Sequence, residues 1–273
     1  MTGRRGDGVT GRLRNADVQS AIRNLQSAIG KSAIVVAAGS SSRMGGKVRK
    51  PYLKLRGKPI LTWSVRALCR VEGLQQIVIV TRHEDRRRAA AAAKLAGLPP
   101  SVRLDFADGG PRRQDSVYNG LQATLPSSQI VLIHDAARPF PAKDTMEEAC
   151  RCALECGGAI LAGRVKDTVK REVAAAPTES KTQNPRSKIA QTVPRAGLWL
   201  AQTPQVFRRA DILGCFERLS REAPKEEVTD DAAILERFGK TVVLVESSST
   251  NLKITRPEDL PIAEAYLRLK LVR

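Results

Sequence analysis

The sequence predicts an α/β protein: a mostly parallel sheet with helices on both faces and a protruding β arm. Three observations lead there. From Ser32 onward, apolar runs of four or five residues rich in β-branched side chains alternate with helical patterns. The runs are continuous rather than alternating, which signals strands buried on both faces. Between residues 164 and 200 this rhythm breaks into short β-like pieces around a polar stretch.

In order, the predicted strands are Ala33–Ala37, Ile77–Thr81, Val102–Phe106, Ile130–His134, Ala159–Ala162 and Val242–Glu246. Turn residues bound each of them. Helical patterns fall at Ile60–Val71, Glu84–Ala96, Gln114–Thr124, Asp144–Cys156, Ala210–Glu222, Asp230–Phe238 and Pro257–Lys270. Thr255 followed by Glu258 predicts a capping box for the last helix. The arm is expected from Val165–Val173 and Ile189–Val193, with a polar tip at Ala174–Lys188. Ligands of such sheets bind at the carboxyl ends of the strands, so the loops there should carry the chemistry.

Residues 1–31 stand apart, with six basic and two acidic residues and no α/β rhythm. They are expected to be a flexible extension with a helical patch at Ala16–Ile29, a transit peptide being the alternative. Residues 32–273 then form one domain, its arm at about 164–200. The chain stops soon after the last helix, and no fused downstream domain is expected. Aromatics are only 4% of the 273 residues, so the core is aliphatic. No apolar run approaches the roughly 18 residues of a membrane span. Five cysteines and no secretory h-region favour a reducing, cytoplasmic setting. Cys150, Cys152 and Cys156 do not have a zinc spacing and are expected to be small buried residues on one helix.

The formal net charge of +18 attracts polyanions without choosing among them. The loops are more selective. The first strand leads into Ala37-Ala38-Gly39-Ser40-Ser41-Ser42-Arg43-Met44-Gly45-Gly46, with Lys50 following. Small residues let backbone N–H groups approach an anion, and Arg43 and Lys50 add fixed positive charge. That combination suits a triphosphate. Gly30-Lys31-Ser32 ends like a Walker A loop, but it precedes the strand and Leu25 stands where the first glycine belongs.

After the third strand comes Asp108-Gly109-Gly110-Pro111-Arg112-Arg113-Gln114-Asp115-Ser116, read either as a capped helix start or as a backbone wall for a base with Arg113 and Ser116 facing it. The fourth strand ends in His134-Asp135-Ala136-Ala137-Arg138-Pro139. A carboxylate at that tip is where a divalent cation such as Mg²⁺ would bridge phosphate oxygens. His134 reads as a packed strand residue, and a chain with only two histidines argues against a Ser-His-Asp triad. Near the end stands Asn251-Leu252-Lys253-Ile254-Thr255-Arg256-Pro257-Glu258-Asp259. Alone, Lys253 would be an ordinary strand-edge lysine.

These segments, in this order from about Ala33 to Leu267, resemble the 2-C-methyl-D-erythritol 4-phosphate cytidylyltransferases. The specific motifs are H-D-A-A-R-P and N-x-K-x-T-R-P-E-D; the Gly-rich loop is shared by many nucleotidyltransferases. The resemblance implies a Rossmann-like fold, a homodimer formed through the β arm, and CTP with a polyol phosphate as substrates. It implies that Ala37, Ala38, Gly110 and Ser116 line a cytosine pocket, with Gly39 and Arg113 in the same nucleotide loops. Arg43 and Lys50 would stabilise the CTP phosphates, and Asp135 would hold Mg²⁺. Arg138, Thr168, Arg195, Thr203, Thr229 and Lys253 would contact the sugar phosphate. Three departures stand out: Pro51 replaces a common Gln, Pro111 replaces a common acidic residue, and the arm carries extra residues around Ala174–Arg186.

The expected activity is transfer of CMP from CTP to 2-C-methyl-D-erythritol 4-phosphate in non-mevalonate isoprenoid synthesis. A cytidylyltransferase for another polyol phosphate, such as ribitol 5-phosphate, is the alternative. A non-catalytic basic nucleic-acid-binding protein is the remote one. The informative basic residues sit singly at strand ends and no RNA-binding aromatic motif appears, so neither nucleic acid nor membrane is an expected partner.

Overall fold

The computed structural model describes residues 29–39, 48–173, 188–222 and 228–272. The expected extension and its helical patch lie almost wholly outside the described residues, as does the polar tip of the arm. The strands are β1 (Lys31–Val36), β2 (Lys54–Leu55), β3 (Lys58–Pro59), β4 (Leu74–Thr81), β5 (Arg103–Asp108), β6 (Ile130–Asp135), β7 (Gly158–Arg164), β8 (Val169–Glu172), β9 (Ile189–Val193), β10 (Trp199–Arg208) and β11 (Val242–Glu246). The helices are α1 (Ile60–Leu68), α2 (Arg86–Ala96), α3 (Arg113–Gln122), α4 (Lys143–Cys156), α5 (Arg209–Glu222), α6 (Asp231–Arg237) and α7 (Asp259–Arg268). Among the described residues no helix is long and apolar enough to cross a membrane.

Seven strands form one sheet in the order β11-β7-β10-β6-β1-β4-β5. Every pair is parallel except those made by β10, which runs antiparallel to both β6 and β7. The chain moves outward from β1 through β4 to β5, then returns to place β6 on the other side of β1. That reversal opens a crevice at the carboxyl ends of β1 and β6.

The aliphatic runs account for the layers. Successive side chains of a strand point to opposite faces. Ala33 and Val35 of β1 therefore join one core with Leu61 and Val65 of α1, Ala89 and Ala93 of α2, and Met146 and Ala149 of α4. Ile34 turns to the other face and packs with Val117 and Leu121 of α3, Phe216 of α5 and Leu235 of α6. A satellite cluster joins Leu55 and Phe140 to Ile254 and Ala263. It clips the C-terminal motif and α7 onto the loop that follows β6.

Several expectations need correction. β10 is a strand that the sequence pattern does not predict, because Gln202-Thr203-Pro204-Gln205 interrupts its apolar run. The ladder tolerates the proline because the register with β7 shifts between Ala201 and Gln205. β1 begins at Lys31, one residue inside the segment read as an extension, and Lys31 is buried with its ammonium on the Glu72 carbonyl oxygen at 2.5 Å. The Thr255–Glu258 capping box does not form; Asp259 Oδ2 instead accepts from Thr255 N, Thr255 Oγ1 and Arg256 N. Of the three cysteines on α4, Cys150 is buried, Cys152 half-buried and Cys156 exposed. Spacings of two and six residues cannot keep them on one face of a 3.6-residue helix.

Gly120 marks where α3 touches the sheet. A Cβ there would lie 2.6 Å from Ile34 Cγ2 and 2.8 Å from Val80 Cγ2. Replacing a helical glycine by alanine ordinarily gains about 1 kcal/mol, whereas overpacking a tight core costs about 1–3 kcal/mol. Packing should win. Gly120→Ala is expected to lower the free energy of urea unfolding by about 1 kcal/mol, the difference between the two effects; a more stable variant would mean that α3 rises freely off the sheet.

Candidate active site

The carboxyl ends of β1, β5 and β6 open into a cleft of about 870 Å³. One wall is Ala37-Ala38-Gly39, with Ala37 N donating to Val80 O at 2.8 Å and Ala38 O accepting from Arg82 Nε at 3.2 Å. The facing wall is Gly109-Gly110. Here only glycine fits, because a Cβ on Gly109 would meet Ala38 Cβ at 2.3 Å. Ser116 Oγ accepts from Gly110 N at 3.0 Å and ties this turn to α3. Asp115 accepts from Arg112 N and from its guanidinium, so the capped helix start and the backbone wall are one structure.

Lys50 and Pro51 form a third side on a single helical turn, Lys50–Tyr52. That turn is held from behind by Tyr52 OH against Thr81 Oγ1 at 2.9 Å, and by Arg49 on Glu84 and Asp85. Asp135 forms the floor at the tip of β6. Lys253 comes from the far end of the chain, because Ile254 N donates to Ala137 O at 2.9 Å and seats the C-terminal motif beside it. Lys253 Nζ then lies 2.7 Å from Asp135 Oδ2.

Among the described residues three cations surround this one carboxylate: Lys253, Arg113 at 3.7 Å from Oδ1, and Arg138 at 3.8 Å from Oδ2. Burial works to raise the Asp135 carboxyl, but Lys253, Arg113 and Arg138 outweigh it and bring it down to about 2. Asp135 is a committed anion. Arg138 also donates to Asn251 O at 2.8 Å, while its buried Nε makes no hydrogen bond among the described residues.

His134 faces away from the cleft and is fully buried. Burial pushes its imidazole down to about 4. The hydrogen bonds assign the neutral tautomer: Nε2–H donates to Arg138 O at 2.8 Å and Nδ1 accepts from Thr203 Oγ1 at 3.0 Å. The Thr203 hydroxyl in turn accepts from Asp135 N–H at 3.0 Å. His134 is a packed strand residue that locks the turn carrying Asp135 and Arg138.

Ala37, Ala38, Gly39, Lys50, Gly110, Arg113, Ser116, Asp135 and Lys253 thus all line the cleft. Arg43 lies outside the described residues. Thr203 sits beneath the floor and Arg138 beside it, whereas Thr168, Arg195 and Thr229 are exposed and do not line the cleft of their own chain. Arg195 donates to Lys166 O within the arm.

Among the described residues no group of three or more His, Cys, Asp and Glu side chains is placed to cage a metal. A single carboxylate does fit Mg²⁺ that keeps its waters and arrives on substrate phosphates, the usual arrangement for that ion. Asp135 is the carboxylate that would hold such a cation.

Residues 32–269 match the family model of 2-C-methyl-D-erythritol 4-phosphate cytidylyltransferase. The chain belongs to this family. A cytidylyltransferase of that name from Clostridium botulinum (strain Langeland / NCTC 10281 / Type F) is 38% identical over 242 residues, covering 86% of this chain and 96% of the relative. One from Geobacillus thermodenitrificans (strain NG80-2) is 39% identical over 241 residues, covering 88% and 97%. Among solved structures, the 4-diphosphocytidyl-2C-methyl-D-erythritol synthase of Anaerococcus prevotii DSM 20548 superposes with a TM-score of 0.73 at 28% identity, over 90% of this chain and 99% of that one. The Rossmann-like fold expected from the family motifs is the fold observed.

Asp231 belongs to the site although its sequence motif gives no sign of it. Its carboxylate receives both amino groups of Arg113, at 2.9 and 2.8 Å. Asp230-Asp231 reads as a plain helix cap, and Asp230 is one, accepting from Ala233 N at 3.0 Å. Nothing in the pattern distinguishes the buried member of the pair.

The His134 environment has a consequence for stability. Its folded pKa, about 4, lies below the ordinary 6.5, so the unfolded chain binds more protons between those values. Stability from this group is complete above about pH 6.5 and is lost as pH falls toward 4, by on the order of 3 kcal/mol. Urea unfolding between pH 4 and 7 should show that slope in the native chain and a flatter one in His134→Gln. Equal slopes would place the proton uptake elsewhere.

Proposed function

We propose that this chain transfers CMP from CTP to 2-C-methyl-D-erythritol 4-phosphate, with Mg²⁺, giving 4-diphosphocytidyl-2-C-methyl-D-erythritol and pyrophosphate for isoprenoid synthesis. The observation that carries the reading is the pairing, in one cleft, of a small-residue backbone wall with Asp135 and its three cations. The family supports the chemistry. Free thiols on all five cysteines are in keeping with a cytoplasmic enzyme.

In this reading Ala37, Ala38, Gly110 and Ser116 take the cytosine, and Gly39 with Arg43 and Lys50 takes the triphosphate. Arg138 and Lys253 take the sugar phosphate, with Thr203 holding the floor from below. The attacking oxygen already belongs to a phosphate monoester, which is largely dianionic at neutral pH. It bonds to the α-phosphorus of CTP as the bond to the β-phosphate oxygen breaks in line, and the leaving pyrophosphate takes that electron pair. No strong base is required. The buried, neutral His134 agrees with this. Mg²⁺, when bound, would neutralise charge on the phosphate oxygens at Asp135. The chain's own task is positioning plus fixed positive charge from Arg43, Lys50 and Lys253.

Pyrophosphate release should require CTP, methylerythritol phosphate and Mg²⁺ together. Lys253→Ala should reduce kcat/KM by about 10²–10³ with the fold intact. Equal or faster release with ribitol 5-phosphate would move the substrate assignment to that polyol.

The arm supports a homodimer. Among the described residues β8 and β9 pair only with each other, and Val173, Ile189 and Leu200 leave apolar surface exposed. A two-fold dimer would bring Thr168 and Arg195 to the partner's cleft, with Arg195 binding the substrate phosphate in trans. Co-refolding Arg43→Ala with Arg195→Ala should then make about half the dimers mixed and restore roughly a quarter of wild-type sites. Mixed dimers without recovered activity would leave Arg195 acting in its own chain.

A further inference from the structure

We propose that Asp231 is a positioning residue of this site: by gripping Arg113 it keeps that guanidinium from closing on Asp135, leaving one carboxylate oxygen open. The inference rests on the reading of Asp135 as the ligand of a divalent cation.

Among the described residues the two oxygens of Asp135 are unequally covered. Oδ2 has Lys253 Nζ at 2.7 Å and Arg138 Nε at 3.8 Å, whereas Oδ1 has Arg113 Nη2 at 3.7 Å. A guanidinium is a flat fork suited to hold a carboxylate by two parallel N–H···O bonds. Asp231 already receives it in that way, at 2.9 and 2.8 Å. The Asp231 side chain is 1% exposed. Withdrawing Arg113 would strand a buried charge, while Asp135 has Lys253 and Arg138 to balance it. The fork stays with Asp231.

Asp231 cannot follow Arg113 toward the cleft. Its own N–H and that of Ala232 donate to Gln205 Oε1 at 2.9 and 3.0 Å, and Gln205 Nε2 donates to Asp230 Oδ2 at 2.8 Å. Gln205 is buried in β10, in register with Ile133 of β6, the strand that ends in Asp135. The sheet therefore sets the separation of the two carboxylates. Lys253, by contrast, is 45% exposed at its side chain and is the cation placed to leave Asp135 for an incoming phosphate.

The test uses the full chain with CTP and Mn²⁺ but no acceptor, so that nothing turns over, and counts protein-bound Mn²⁺ by equilibrium dialysis, because free CTP also holds the ion. Asp231→Asn should release the fork onto Asp135 and weaken Mn²⁺ binding about tenfold, the scale of one partly screened unit charge at close range. Removing the fork as well, in Asp231→Asn with Arg113→Gln, should restore affinity to within about threefold of wild type, as should the conservative Asp231→Glu. Wild-type affinity in Asp231→Asn overturns the proposal. So does a double variant as weak as the single, because the loss then comes through the fold and not through Arg113.

If circular dichroism finds Asp231→Asn unfolded, Arg113→Lys asks the same question. A lysine cannot grip both oxygens and should weaken Mn²⁺ binding; unchanged binding overturns the proposal. Asp135→Ala separates the two readings. Mn²⁺ uptake indifferent to Asp135→Ala removes the metal reading and this inference with it. Uptake that needs Asp135 but ignores Asp231 removes this inference alone.

Discussion

One buried carboxylate organises this molecule. Asp135 ends the central strand β6 with 13% of its side chain exposed, where an unpaired charge would be expensive. Its balance comes from Arg113 at the start of α3, Arg138 three residues along, and Lys253 more than a hundred residues away. Three segments must therefore be folded and docked before the charge is satisfied. The same requirement assembles the cleft, because those segments also carry or adjoin the backbone walls.

The antiparallel strand β10 connects this charge centre to the rest of the sheet. Thr203 serves His134 and the Asp135 amide from within it, and Gln205 anchors the N-terminus of α6 two residues later. Asn251 reaches Thr203 O at 3.0 Å from the C-terminal motif. A strand that looks like a scaffold thus holds the turn beneath Asp135, the anchor behind Arg113 and the segment bearing Lys253. These are buried polar contacts with partners on both sides, where loss of one member exposes the desolvation cost of the others.

Much of the fold was legible because it rests on local pattern. The continuous aliphatic strands required two covered faces, and the two cores have that arrangement. The cleft residues were legible for a similar reason: glycines, small residues and a strand-end carboxylate stand in short motifs whose chemistry survives being read in one dimension. β10 escaped because its polar residues are buried by partners distant in sequence, so burial was invisible to hydropathy. The cap of α7 falls one residue beyond where the pattern puts it, since Glu258 and Asp259 differ only in which of them the chain turns inward.

The sequence by itself determined the alternation of strands and helices, the aliphatic core, the small-residue loop after β1 and the presence of an acid at the tip of β6. Each depends on periodicity or on residues adjacent in the chain. Tertiary structure alone decided which charges meet. Arg113 and Asp231 lie 118 residues apart in sequence and share two hydrogen bonds, and Lys253 finds Asp135 only after β10 and α7 have packed. Coulomb attraction at a few ångströms is strong around the largely buried Asp135 and screened in an extended chain. The site therefore exists as a charge constellation only once the sheet has closed around it.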